Sequence, residues 1–217
     1  MRFKAVLFDC DGLMFNTEKV WQHYFIKANA VFNQNFTEAD RVKIVGKSET
    51  EIRQYLKEVC LGLDVDEYRE WIRQSVQNHI DKQGVEAKKG LKEIIEFCNQ
   101  NNIKMAIVSG SRKVRIEKYL ETNQISKTNF RAFVTGEQSL KAKPAPDFYL
   151  SACKQLDVKL EDCVVLEDSY LGVEAGRNAG CFTIMIPDTM PVNAKMQELA
   201  NLILNDLNEV TAFLKNS

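Results

Sequence analysis

The sequence predicts an α/β fold with a Rossmann-like, doubly wound parallel sheet as its core and an all-helical domain inserted after the first strand. Two observations support this prediction. From about residue 88 onward, short apolar segments alternate with amphipathic helical segments, which is typical of a parallel sheet covered by helices. The stretch from about residue 16 to 83 instead has helical periodicity and no convincing strand.

The predicted strands are short apolar segments, each of which ends at small or polar residues. Their side chains are apolar at successive positions, as expected for strands that are buried on both faces of a sheet. The segments are residues 5–8, 105–108, 163–166 and 182–186, and residues 130–134 form a weaker fifth. Helical periodicity follows these strands, and residues 207–214 are predicted to form a closing helix.

The inserted segment contains two sets of large apolar residues that recur every four positions. This spacing places each set on one face of a helix. The first set is Val20, Tyr24, Ala28 and Phe32, and the second is Tyr68, Ile72, Val76 and Ile80. A crossover from the first strand to the second needs only one helix. We therefore predict a core domain of residues 1–15 and 84–217 and a helical cap domain of residues 16–83.

The composition argues against several classes of protein. The 29 basic and 30 acidic residues nearly cancel, so we expect no nucleic-acid binding. The longest apolar runs have the length of strands, so we expect no membrane association. The first residues reach Asp9 too soon to contain the apolar region of a signal peptide. The six cysteines have no C-x-x-C spacing, which favours reduced, buried thiols and a cytoplasmic protein. A monomer is the default expectation.

Polar side chains follow three of the predicted strands at the point where each strand ends. Sites in open α/β sheets form outside the carboxyl ends of the strands, so these residues are expected to converge. Carboxylates that meet there would repel one another unless a cation lay between them, and Mg²⁺ is the usual ion for oxygen ligands and a phosphate. The residues are Asp9 and Asp11, then Ser109 and Ser111, then Glu167 and Asp168.

This set of residues contains what phosphoryl transfer requires. One aspartate can attack phosphorus, and a second, two positions later, can protonate the leaving alcohol and then deprotonate water. Ser109 and neighbouring backbone N–H groups can hold a phosphate oxygen. Lys143 is a candidate cation to balance the charge of the nucleophile and the phosphate.

Four segments, in order, resemble the four motifs of the haloacid dehalogenase superfamily. They are F-D-C-D-G-L at residues 8–13, V-S-G-S at 108–111, K-P-A-P-D at 143–147 and V-L-E-D-S at 165–169, the last followed by Gly172 and Gly176. The motifs frame nearly the whole chain. The nearest subgroup contains β-phosphoglucomutase and the sugar-phosphate phosphatases, whose members carry a helical cap after the first motif.

The resemblance implies roles for individual residues of the core. Asp9 is then the nucleophile and a Mg²⁺ ligand, and Asp11 is the general acid/base that also binds the metal through its backbone carbonyl. Asp168 is the metal-binding carboxylate, and Glu167 supports the metal or its waters. The residues expected to surround the transferring phosphoryl group are Ser109, Gly110, Ser111, Arg112 and Lys143; for Arg112, simple surface exposure remains an alternative.

The cap departs from the pattern of the mutases that the chain resembles. Trp21 stands where β-phosphoglucomutase has a histidine, and it forms either the cap core or a wall of the substrate pocket. Residues 46–49 read G-K-S-E where the mutase has G-x-S-R, so Gly46 and Lys47 are expected in the specificity loop and Glu49 would repel a second phosphate. We therefore predict a phosphatase for a small phosphorylated metabolite, a sugar or polyol phosphate. The alternatives are a sugar-phosphate mutase and a non-catalytic binding module.

Overall fold

A computed structural model describes residues 2–44, 49–60 and 62–217. The chain divides into two compact units. The first unit contains residues 2–16 and 86–217, and the second contains the described residues of Thr17–Val85. Each unit has its own core.

The first unit is built on a six-stranded, all-parallel sheet, which confirms the predicted fold class. The strands lie in the order β3-β2-β1-β4-β5-β6. Their bounds are β1 Ala5–Phe8, β2 Lys104–Val108, β3 Ala132–Val134, β4 Cys163–Glu167, β5 Phe182–Met185 and β6 Leu202–Ile203. The predicted strands agree with β1 to β5 to within one or two residues at each end. The sequence missed β6, because two residues at a sheet edge are too short for a recognisable period.

Helices cover the sheet of the first unit and bury its central strands on both faces. They are α5 Leu91–Gln100, α6 Lys113–Thr122, α7 Asp147–Leu156, α8 Tyr170–Asn178, α9 Ala194–Leu199 and α10 Leu207–Lys215. Ala5 and Leu7 of β1 pack in one cluster with residues of α7 and α8. Val6 and Phe8 point to the opposite face and are equally buried. All six cysteines are free and buried, as their spacing predicted.

The second unit is helical throughout the part that the structure describes. Its helices are α1 Thr17–Val31, α2 Glu38–Ile44, α3 Glu49–Val59 and α4 Val65–Gln83. Asp64 caps α4, and its carboxylate accepts hydrogen bonds of 3.0 Å from the backbone N–H groups of Asp66 and Glu67. Aromatic rings form the centre of the unit, since the ring of Phe25 lies 4.6 Å from that of Phe36 and 5.8 Å from that of Tyr68. Among the described residues, no helix has both the length and the apolar character needed to cross a membrane.

Replacing Leu7 with alanine tests the placement of β1 inside the core. Leu7 is fully buried, so we expect Leu7→Ala to lower the free energy of unfolding by about 2–5 kcal/mol. Leu171→Ala makes the same chemical change on α8, where Leu171 is 41% exposed, and we expect a loss of about 1 kcal/mol or less. Equilibrium unfolding in urea compares the two variants. Similar losses for both would contradict the burial of Leu7.

Candidate active site

The strand order brings the polar residues that follow three strands to one edge of the sheet. β1 lies between β2 and β4, so the residues after these strands are neighbours in space. The backbone N–H of Asp9 donates to the carbonyl of Leu166 at 3.0 Å, which extends the pairing of β1 with β4 by one residue. On the other side, the N–H of Ser109 donates to the carbonyl of Val134 at 2.9 Å. The convergence is therefore a direct result of parallel pairing.

Three buried carboxylates form the centre of this edge. Asp9, Glu167 and Asp168 each offer one oxygen, and these oxygens lie within 4.8 Å of one another. The turn after β1 passes so close to Asp168 that a Cβ at position 12 would overlap the Asp168 carboxylate. Gly12 also has a φ of 84°, in the left-handed region. Glycine meets both requirements of this turn, because it has no Cβ.

The ammonium of Lys143 lies between two of these carboxylates. Its Nζ donates to Oδ1 of Asp9 at 2.5 Å, to Oε1 of Glu167 at 2.6 Å and to the carbonyl of Val108 at 3.2 Å. Burial lowers the pKa of Lys143, but the charges of Asp9 and Glu167 outweigh burial and raise the pKa well above its ordinary value. The lysine is therefore cationic at physiological pH.

The carboxyl group of Asp9 resists ionisation more than a solvent-exposed aspartate does. Burial, and after it the charge of Glu167, raise the pKa of Asp9 to about 8, although the charge of Lys143 opposes this shift. A divalent cation beside Asp9 would lower the pKa again, because it favours the charged form. The donor set of Asp9 and Asp168 consists of oxygen atoms, which suits a hard ion such as Mg²⁺. The residues at this edge therefore fit the predicted metal.

Asp11 and the two serines of the second motif form a second group at the same edge. Oδ2 of Asp11 accepts hydrogen bonds from the hydroxyl of Ser111 at 2.7 Å and from that of Ser109 at 3.3 Å. The backbone N–H of Ser111 in turn donates to Oγ of Ser109 at 3.0 Å. These contacts fix the orientation of the Asp11 carboxylate. A contribution of its backbone carbonyl to metal binding stays a prediction.

The remaining predicted substrate residues are spread over both units. Gly110 is exposed after β2, and Arg112 is exposed immediately before α6. Trp21 lies half-buried in α1 of the helical unit, where its ring is 6.0 Å from the guanidinium carbon of Arg69. Gly46 and Lys47 lie outside the described residues. The roles of these residues in substrate binding stay predictions.

Sequence reasoning assigned no role to three residues that contact Glu167. The hydroxyl of Tyr149 donates to Oε1 at 2.6 Å, and the hydroxyl and N–H of Ser169 donate to Oε2 at 3.0 and 3.3 Å. A Cβ at Gly172 would overlap the Glu167 carboxylate. Ser169 and Gly172 belong to the fourth motif, so the sequence already indicated that both lie near the site. Tyr149 gave no such signal, because an aromatic residue on a buried helix face is ordinary core.

Comparisons with known proteins agree with this arrangement. A family model described as haloacid dehalogenase-like hydrolase matches residues 6–186. A protein from Thermotoga maritima named phosphorylated carbohydrates phosphatase is 30% identical over 191 residues, which cover 82% of each chain. A solved structure of a HAD family hydrolase from Deinococcus radiodurans R1, with bound phosphate and sodium, has a TM-score of 0.83 at 24% identity, covering 99% of this chain and 96% of that chain; it supports the fold.

A longer relative comes from Arabidopsis thaliana. It is named bifunctional riboflavin kinase/FMN phosphatase and is 29% identical over 207 residues, which cover 95% of this chain. The chain spans 54% of the length of that relative and 20% of the length of another plant relative. The similarity therefore covers only part of each of these two relatives.

The raised pKa of Asp9 predicts a dependence of stability on pH. The pKa rises from 3.8 to about 8 on folding, so between these values the folded state binds more protons than the unfolded state. The free energy of unfolding contributed by Asp9 therefore falls as the pH rises through this window. Asp9→Asn has no carboxyl proton to lose. In metal-free buffer we expect the Tm of Asp9→Asn to exceed that of wild type near pH 8 and the gap to narrow towards pH 4.

Thermal unfolding across this pH range measures the effect. Asp162→Asn is a matched control, because Asp162 precedes the opposite end of β4 and pairs with Lys4 at 2.7 Å. For Asp162→Asn, we expect the difference in Tm from wild type not to widen between pH 4 and pH 8. A gap between wild type and Asp9→Asn that is independent of pH would contradict the raised pKa.

Proposed function

The chain belongs to the haloacid dehalogenase-like hydrolases, and we propose that it is a Mg²⁺-dependent phosphatase that acts on a small phosphorylated metabolite. The observation that carries this proposal is the contact of Lys143 with Asp9 beside Asp168. A nucleophilic carboxylate, a cation that neutralises it and a second carboxylate suited to a metal thus lie together at one sheet edge.

Asp9 is the nucleophile in this proposal. One of its carboxylate oxygens attacks phosphorus, so that a phosphorus–oxygen bond to Asp9 forms while the bond to the leaving alcohol breaks. Lys143, held against Oδ1 of Asp9, offsets the negative charge that accumulates when a phosphate approaches a carboxylate. Without this cation, two anions would have to meet in a buried site, which is costly.

Asp11 is the general acid and base. It donates a proton to the leaving alcohol and later accepts one from the water that attacks the aspartyl-phosphate. The hydroxyls of Ser109 and Ser111 direct its carboxylate towards the end of β2. In this proposal the same serines and the backbone N–H of Gly110 bind the phosphoryl oxygens.

Mg²⁺, when bound by Asp9 and Asp168, supplies positive charge to the phosphoryl oxygens. Asp11 would add its backbone carbonyl to the ligands of this ion, and Glu167 would support the metal or its waters. Each of these assignments is part of the proposal, and the oxygen-only donor set around Asp9 supports it.

The substrate proposed for this site is a sugar or polyol phosphate. The name of the Thermotoga maritima relative, a phosphatase of phosphorylated carbohydrates, supports this class. The helical unit acts as a cap and determines substrate specificity in this proposal. Its candidate specificity residues are Trp21, Gly46 and Lys47. We also expect the protein to work in the cytoplasm, as a monomer, on free metabolites.

Asp9→Asn tests the nucleophile. An amide oxygen is a poor nucleophile towards phosphorus, so we expect phosphate release in the presence of Mg²⁺ to fall by at least about 10³-fold. A colorimetric phosphate assay against sugar phosphates, polyol phosphates, phosphoglycolate and FMN measures the loss. Asp162→Asn, at the opposite end of β4, serves as the control and should retain wild-type activity.

Two results would contradict this proposal. Substantial Mg²⁺-dependent phosphate release by Asp9→Asn would exclude Asp9 as the nucleophile. Conversion of β-glucose 1-phosphate to glucose 6-phosphate faster than phosphate release, in the presence of a bisphosphate primer, would identify a mutase instead. The second assay therefore distinguishes transfer of the phosphoryl group to water from its return to a sugar.

Metal dependence has its own test. We expect a chelator to abolish phosphate release and Mg²⁺ to restore it, because the nucleophile is a carboxylate whose pKa is raised to about 8 and must ionise. Asp168→Asn removes one anionic ligand, so we expect the Mg²⁺ concentration for half-maximal activity to rise by at least about tenfold. Activity that survives exhaustive chelation would disprove the metal requirement.

A further inference from the structure

Tyr149 of α7 contacts the carboxylate that holds Lys143. Its side chain is fully buried in the core cluster that contains Leu7 and Val108. Its hydroxyl donates a hydrogen bond of 2.6 Å to Oε1 of Glu167. Burial, and after it the charge of Glu167, raise the pKa of Tyr149 well above its ordinary value. The hydroxyl therefore keeps its proton and acts as a donor.

Glu167 accepts hydrogen bonds from the protein on both of its oxygens. Oε1 accepts from Lys143 and Tyr149, each at 2.6 Å. Oε2 accepts from the hydroxyl of Ser169 at 3.0 Å and from its backbone N–H at 3.3 Å. A carboxylate offers about four lone-pair positions, and a fully buried carboxylate is stable only when they are satisfied. Tyr149 and Ser169 thus fix the carboxylate of Glu167, which serves as the anchor that holds Lys143 in place.

Lys143 depends on this anchor for its position. An ammonium has three N–H donors, and the three acceptors around Nζ are Asp9, Glu167 and the carbonyl of Val108. The Nζ atom also lies 5.1 Å from the centroid of the Tyr149 ring, within the range of a cation–π interaction. Tyr149 therefore acts on the ammonium in two ways, through its ring and through the shared acceptor Glu167.

We propose that Tyr149 is a positioning residue for phosphoryl transfer, which acts through Glu167 to hold Lys143 against Asp9. The proposal rests on the proposed function, in which Lys143 meets the phosphoryl group. Without the tyrosine hydroxyl, Oε1 of Glu167 keeps Lys143 as its one donor and attracts the ammonium more strongly. Lys143 then shifts away from Asp9, and its charge is misplaced for the transition state.

The expected result is a loss in the chemical step with little change in substrate affinity. In Tyr149→Phe the ring and its packing remain, and only the hydrogen bond to Glu167 is removed. We expect kcat to fall by about tenfold and KM to stay within about twofold, because the lost interaction acts on transfer and not on the rest of the substrate. Inhibition by orthovanadate, which mimics the five-coordinate phosphoryl group, should weaken by a similar factor.

Tyr68→Phe is a matched control for this variant. Tyr68 is as fully buried as Tyr149, but it lies in the helical unit and its hydroxyl has no hydrogen-bond partner among the described residues. The chemical change is identical, and no contact with Glu167 is involved. We expect Tyr68→Phe to retain the kcat and the vanadate inhibition of the wild type.

Three results would overturn the proposal. The first is a kcat for Tyr149→Phe within about twofold of wild type, and the second is a lower kcat with unchanged vanadate inhibition, which would indicate a structural role only. The third is a crystal structure of Tyr149→Phe in which Nζ of Lys143 remains 2.5 Å from Oδ1 of Asp9. The crystal structure needs no activity, so it still decides the role of Tyr149 if the wild type hydrolyses no phosphate ester and the proposed function fails.

Discussion

The site depends on one buried arrangement of charges, in which the ammonium of Lys143 lies between the carboxylates of Asp9 and Glu167 at 2.5 and 2.6 Å. Burial of several charges at one place is unfavourable unless opposite charges and hydrogen-bond donors surround them. Lys143 balances part of the negative charge of Asp9 and Glu167, and the carboxylate of Asp168 adds further negative charge. Burial, and after it the charge of Glu167, raises the pKa of Asp9, and the remaining excess of carboxylate oxygens suits a hard cation.

The backbone is arranged so that these charges can approach one another. Gly12 lets the turn after β1 pass against the carboxylate of Asp168, and Gly172 lets the first turn of α8 pass against that of Glu167. Any other residue would place a Cβ on a carboxylate oxygen at either position. Ser169 caps α8 by accepting from the N–H of Gly172 at 3.1 Å while its own hydroxyl donates to Glu167. The beginning of α8 therefore forms part of the site.

Much of the fold and the main site residues could be predicted because the necessary signals are local. Buried parallel strands are continuous apolar runs, and polar residues at their ends mark the edge where a site forms. β6 was missed because two residues give no period. The contact of Ser111 with Asp11 was also missed as a specific pairing, since a serine after a strand is equally consistent with helix capping. The roles in substrate binding that were assigned to Trp21, Gly46 and Lys47 stay predictions.

The sequence by itself determined the fold class, the family and the identity of the residues that meet at the sheet edge, because apolar periodicity and motif order are written along the chain. The tertiary structure decided which of these residues are partners. Lys143 and Asp9 are 134 positions apart, and they meet because the segment between β3 and α7 brings Lys143 to the carboxyl ends of β1 and β2. In the sequence, Tyr149 cannot be distinguished from an ordinary core aromatic residue. The packing of α7 against the sheet directs its hydroxyl to Glu167. Such pairings arise from long-range packing, which local sequence patterns do not encode.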